Sequence, residues 1–136
     1  LVAGHQALEA GPEIVGVAVS RKDEGYERRC AALANASLAW LGSDVRVTAD
    51  DFTVDRGYFE PGYEQPNEAA NEAIRLLART EGLLTDPVYT GKALAGLLDH
   101  IRTGKIRSGE TVVFWHTGGA TALFAEQAIL GNLADK

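Results

Sequence analysis

Apolar positions along this 136-residue chain switch between helical and strand spacing, and the switches predict alternating elements. Residues 1–10 read as a helix with no capping residue ahead of it, so the chain is expected to start inside an element, and Gly11 is the expected left-handed stop. Residues 14–19 are a continuous apolar run of strand length, of the kind buried on both faces of a parallel sheet. From Asp23 to Leu41, the residues Tyr26, Cys30, Leu33, Ser37 and Leu41 recur at helical spacing, which puts Cys30 on the expected buried stripe and Gly42 at the stop. Val45 to Thr48 alternates as a short strand, and residues 50–65, with Gly57, Pro61 and Gly62, read as an irregular connection.

Asn67 is the expected cap of a helix over residues 68–81, with Ala70, Ala73, Ile74 and Leu77 on one face and Gly82 after it. Thr90 is the expected cap of the next helix, whose Leu94, Leu97, Leu98 and Ile101 form a stripe that ends before Gly104. Thr111 to Trp115 reads as a buried strand, and Gly118 and Gly119 turn the chain into a last helix from Thr121 to about Leu130. The alternating order predicts an α/β chain: one domain over residues 1–136, built as three αβα layers around a mainly parallel sheet.

Charge and composition narrow the function. The net charge is −6, and the thirteen Lys and Arg are dispersed, which argues against nucleic acid as a partner. Cys30 is the only cysteine, so one copy can build neither a disulfide nor a cysteine-rich metal site, and a reducing cytoplasm is the expected compartment. No apolar run is long enough for a membrane span, and the amino terminus lacks the layout of a signal peptide. His5 and His100 have no matched ligand partner, so no metal is expected. Trp40 and Trp115 read as core or interface aromatics.

In parallel sheets ligands gather at the carboxyl ends of strands, where helix amino termini present free amides. His116-Thr117-Gly118-Gly119 falls at such an edge, although a Thr-Gly-Gly turn is also ordinary turn chemistry between a strand and a helix. His116 there either titrates near neutral pH or hydrogen-bonds the backbone and packs.

Four stretches carry a resemblance: Gly62-Tyr63 with Pro66-Asn67-Glu68; Glu72-Ala73-Ile74; Glu81-Gly82 leading into Asp86-Pro87-Val88-Tyr89-Thr90-Gly91-Lys92; and His116-Thr117-Gly118-Gly119 with Ala122-Leu123-Phe124. In this order they resemble the carboxyl-terminal portion of the D-cysteine desulfhydrase and 1-aminocyclopropane-1-carboxylate deaminase family, fold-type II enzymes that use pyridoxal 5'-phosphate. The resemblance implies the carboxyl-terminal part of the larger, cofactor-binding domain, with the amino-terminal part of the enzyme as its missing partner. It implies a small amino-acid substrate and a homodimer for the intact protein.

The family's cofactor-bearing lysine precedes the matching portion, and none of Lys22, Lys92, Lys105 and Lys136 matches its context. The phosphate-binding turn is likewise expected ahead of Leu1. Tyr89 and Tyr63 match active-site tyrosines, although by residue type alone Tyr89 reads more readily as a core tyrosine and Tyr63 equally as an exposed loop aromatic. Glu64 stands where many relatives carry Gly. Thr90, Thr117, Gly118 and His116 are the expected cofactor-side residues.

The deaminase branch typically has Glu and Leu at the positions of Thr90 and Thr117, and a carboxylate beside the pyridine nitrogen strengthens the ring as an electron sink. Neutral threonines therefore favour D-cysteine desulfhydrase chemistry: β-elimination to pyruvate, sulfide and ammonia. The alternatives are a 1-aminocyclopropane-1-carboxylate deaminase and a non-catalytic α/β binding module that kept the scaffold, and the chain by itself is expected to be inactive.

Overall fold

A computed structural model of the chain describes residues 1–125. They form two compact units: the first holds residues 1–18 and 22–56, the second residues 19–21 and those from 57 onward.

In the first unit helix α1 (Val2–Leu8) leads to strand β1 (Val15–Val17), helix α2 (Tyr26–Trp40) and strand β2 (Thr53–Asp55). The two strands pair in parallel with Val15 opposite Thr53 and Val17 opposite Asp55. This is a βαβ arrangement, since a parallel pair needs a long crossover and α2 provides it. The expected α/β class with a parallel sheet is therefore present. Val15 is nevertheless exposed rather than covered on both faces. The helix α1 ends two residues earlier than expected, with Glu9 rather than Gly11 in the left-handed cap at φ 48°.

The buried face of α2 differs from the expected stripe. Ala31 and Leu38 are buried against Val47, with Val2, Ala3, Ala34, Val45 and Phe52 packed around them. Cys30 is only half-buried, while Leu33, Trp40 and Leu41 face outward. Small alanines let α1 and the 45–52 segment approach on one side, so the larger apolar residues are left on the other.

Residues 45–48 do not form the expected strand. The Asn35 side chain donates to the Val47 carbonyl at 2.8 Å and accepts the Val47 amide at 2.9 Å, occupying both backbone groups that a ladder would use. Thr48 and Asp51 then close a capping box around a 3₁₀ turn, Ala49–Asp51. The strand falls instead at Thr53–Asp55, inside the stretch read as irregular.

In the second unit, helices α3 (Glu68–Glu81) and α4 (Thr90–Arg102) pack side by side. Asn67 caps α3 as expected, accepting the Ala70 amide at 2.8 Å, and Gly82 ends it at φ 68°. Ala73, Leu94 and Ala95 form the buried seam, with Leu77, Leu97, Leu98 and Phe114 against it. The helices meet closely at Gly91, where an added Cβ would stand 2.6 Å from the Asp86 carbonyl oxygen and 2.9 Å from Ile74 Cδ1. Ile101, expected on the stripe, is exposed.

Thr111 to Trp115 is not a strand here. Its amides meet no neighbouring strand among the described residues, and a strand exists only through such pairing. Phe114 packs on the helices while Val112, Val113 and Trp115 are exposed. Neither tryptophan is thus a core residue in this structure. The last helix begins as a 3₁₀ segment, Ala120–Ala125, with Leu123 buried against Ile74; its expected continuation lies outside the described residues.

Candidate active site

The loop from Thr85 into α4 is organised by one carboxylate. Asp86 is fully buried, and it accepts the amides of Val88 and Tyr89 on Oδ2, at 2.8 and 2.7 Å, and the Thr90 amide on Oδ1, at 2.7 Å. The Thr90 hydroxyl donates to the same Oδ1 at 2.6 Å and accepts the Asp86 amide at 3.0 Å. Asp86 is therefore the cap of α4, Tyr89 stands at the N-cap position, and Thr90 is the first helical residue. Thr90 does not cap the helix as expected, because an ionised carboxylate outcompetes a hydroxyl for several converging amides. Burial alone would raise the Asp86 carboxyl, but the hydrogen bonds from Thr90, Tyr89 and Val88 outweigh it and hold it below its usual value. The signal in the sequence is Asp86 followed by Pro87: an aspartate side chain accepts amides a few residues on in a turn, and proline presets the backbone of that turn.

Tyr89 and Tyr63 are brought together. Both side chains are exposed, their hydroxyls hydrogen-bond each other, and the rings meet edge to face with centroids 5.9 Å apart. The bond to Tyr89, with smaller contributions from burial and from Glu64, pushes the Tyr63 phenol up to about 12. Glu64, beside it, adopts a left-handed backbone at φ 57°, the conformation glycine takes most readily.

The other candidate residues lie at a second turn. His116 Nε2 meets the Leu84 carbonyl at 2.9 Å, and the Gly118 amide donates to His116 Nδ1 at 3.0 Å. The neutral ring carrying its proton on Nε2 satisfies both contacts, so His116 serves the backbone. Gly118 and Gly119 both have positive φ, 98° and 91°. An added Cβ on Gly119 would stand 2.9 Å from Asp86 Oδ1, so this turn lies directly on the buried carboxylate. The Thr90 hydroxyl oxygen lies 3.4 Å from the Gly118 carbonyl oxygen, so the two turns abut. Thr117 is exposed.

Sequence reasoning missed a further polar residue here. Lys92 is fully buried, and its ammonium donates to the carbonyls of Phe59 at 3.0 Å and Gly62 at 2.7 Å. Burial pushes the amine below its ordinary value, with Glu60 opposing. Nothing in helical periodicity marks a lysine for burial, so no sequence signal was available.

The arrangement is a wall with two exposed phenols and two hydroxyl-bearing turns. Among the described residues no three His, Cys, Asp or Glu side chains are grouped to hold a metal, and no helix is long and apolar enough to cross a membrane.

The profile of a family described as pyridoxal-phosphate dependent enzyme matches residues 1–118. The chain is 46% identical over 125 residues to a D-cysteine desulfhydrase of Yersinia enterocolitica and 45% identical to one of Salmonella typhi, covering 92% of this chain and 37% of each relative. It thus spans little more than a third of the length of these relatives. A crystal structure of an ACC deaminase homologue superposes with a TM-score of 0.80 at 32% identity, covering 95% of this chain and 38% of that one.

Proposed function

This chain belongs to the pyridoxal-phosphate-dependent enzyme family, and on that premise we propose that it forms the carboxyl-terminal wall of the active site of a lyase that eliminates sulfide from D-cysteine. The products are pyruvate, sulfide and ammonia. The observation that carries the reading is the contact between the exposed phenols of Tyr63 and Tyr89, with neutral threonine hydroxyls as the nearby polar groups.

The residues present fit the pyridine edge of the cofactor. Thr90 is oriented by Asp86 and abuts Gly118, and Thr117 adds an exposed hydroxyl. The Thr90 proton is committed to Asp86, so Thr90 offers a ring nitrogen only a lone pair, and Thr117 is the donor in this reading. Gly118 lets the backbone approach the ring, and His116 holds that turn to Leu84. When bound, pyridoxal phosphate supplies the electron sink that permits loss of the α-proton and of the β-substituent. Tyr89 holds or relays a proton at its phenolic oxygen, and Tyr63 orients it through their shared hydrogen bond.

The cofactor-bearing lysine is assigned to polypeptide outside this sequence, because none of the four lysines stands in the family's lysine context, and Lys92 in addition is engaged by two carbonyls. The intact enzyme is assigned as a cytoplasmic homodimer, a compartment consistent with a lone free cysteine. The likeness to a deaminase homologue favours a second reading, 1-aminocyclopropane-1-carboxylate deamination. Against it stands the absence of a carboxylate at position 90, since the neighbouring Asp86 is turned inward to four donors.

In the polypeptide that carries this sequence, Tyr89→Phe should lower D-cysteine turnover by about 10²–10⁴-fold, while Lys105→Ala leaves it unchanged. Equal effects would overturn the assignment. Thr90→Glu with Thr117→Leu should move selectivity toward the deaminase substrate.

A further inference from the structure

We propose that Lys92 is a positioning residue, which clips the loop bearing Tyr63 onto the first turn of α4 and so sets the Tyr63 phenol against Tyr89. The inference rests on the assignment of these tyrosines to the active site.

A lysine with no exposed surface is rare, because removing an ammonium from water is costly unless its donors are satisfied. Among the described residues no side-chain carboxylate pairs with the Lys92 ammonium. Two backbone carbonyls do, from Phe59 and Gly62, thirty and more residues away in sequence. Gly62 directly precedes Tyr63, and Lys92 stands one helical turn beyond Tyr89, whose carbonyl accepts the Ala93 amide at 3.0 Å. One side chain therefore spans the two backbones that carry the phenols.

Further polar tethers of this loop lie on the far side of Pro61 from Tyr63: Asn67 donates to the carbonyls of Tyr58 and Glu60, and the Tyr58 hydroxyl donates to Asp99 at 2.5 Å. The Lys92 contact at Gly62 adjoins the tyrosine directly. Compactness also matters: an ammonium on a thin stem fits where the planar guanidinium of arginine would force the loop outward.

The test is an alkaline titration of tyrosine absorbance in the full polypeptide, with the Tyr63 signal assigned by its loss in Tyr63→Phe. In the unaltered protein this phenol should titrate at about 12. Lys92→Met removes the donors and should return it toward about 10, the ordinary tyrosine value, with kcat for D-cysteine falling about 10–100-fold and KM little changed. A fall in the titration without loss of turnover would leave the clip standing and overturn the catalytic reading of the tyrosines.

A folded Lys92→Met protein whose Tyr63 still titrates at about 12 would overturn the clip itself. Lys92→Arg keeps charge and donors but adds bulk, and it should also lower the Tyr63 titration; an unchanged value there overturns the proposal equally. Should neither variant fold, NMR of the unaltered protein decides. Slowly exchanging Lys92 ammonium protons in contact with residues 59–62 support the clip, and rapidly exchanging ones refute it.

Discussion

Thr90 gives both of its protons to Asp86: the amide and the hydroxyl meet the same carboxylate oxygen, at 2.7 and 2.6 Å. The residue that the sequence marks as a helix cap is itself capped, and its hydroxyl orientation is set from beneath by a buried charge.

Asp86→Ala should therefore cost about 2–4 kcal/mol in urea unfolding, since it removes a cap and strands buried donors. Asp86→Asn, which keeps an acceptor, should cost less. The sign of the pH effect follows from the lowered folded-state value. The carboxylate's contribution is fully present above its unfolded value and is lost as pH falls through the folded one. The protein with Asp86 intact should lose stability more steeply below about pH 4 than Asp86→Asn; parallel acid curves would contradict this.

Glycine-to-alanine changes should have opposite signs at different sites. At Gly91 a methyl group collides with the Asp86 carbonyl and Ile74, and at Gly119 it meets the Asp86 carboxylate at positive φ. Each should cost about 1–3 kcal/mol. Gly4 in α1 has nothing within 4 Å of an added Cβ, so Gly4→Ala should stabilise by up to about 1 kcal/mol. Thermal unfolding of the three variants separates the cases.

Asn67 does two jobs that substitution can divide. Asn67→Ser retains an acceptor for the Ala70 amide but loses the bonds to Tyr58 and Glu60. It should cost about 1 kcal/mol, and Asn67→Ala about 2 kcal/mol. Equal losses in denaturant unfolding would mean that the cap contributes nothing, and an Asn67→Ser protein as stable as the unaltered one would mean that the loop tether contributes nothing.

Glu64 is held at φ 57°. A left-handed backbone costs a side-chain-bearing residue about 1–2 kcal/mol, partly offset in glycine by its more mobile unfolded chain. Glu64→Gly should raise the unfolding free energy by about 0.5 kcal/mol, and any decrease would argue against strain at this position.

The two phenols should be separable by alkali. Tyr89→Phe removes the bond that raises Tyr63, so the phenol at about 12 should titrate as an ordinary tyrosine. Because the raised folded value favours the protonated phenol, the pair stabilises the fold below about pH 10 and loses that contribution as pH rises toward 12. The Phe variant should lack this alkaline loss in a pH series of urea unfolding.

The sequence by itself determined what depends on local spacing. Helix α3, its Asn67 cap and its Gly82 stop follow from side-chain period and backbone preference, and both are properties of neighbouring residues. The four motif stretches likewise pointed to the family, because a motif is a local string. Tertiary structure decided whatever depends on a distant partner. Val47 became a segment clamped by Asn35, and Thr111 to Trp115 found no strand among the described residues to pair with, because a β-strand is defined by a neighbour that one-dimensional alternation cannot supply. Leu33 and Leu41 turned outward because small alanines offered the closer-packing face of α2. Lys92 went inside because the carbonyls of Phe59 and Gly62 waited for it across some thirty residues, and only folding brings such groups within hydrogen-bond reach.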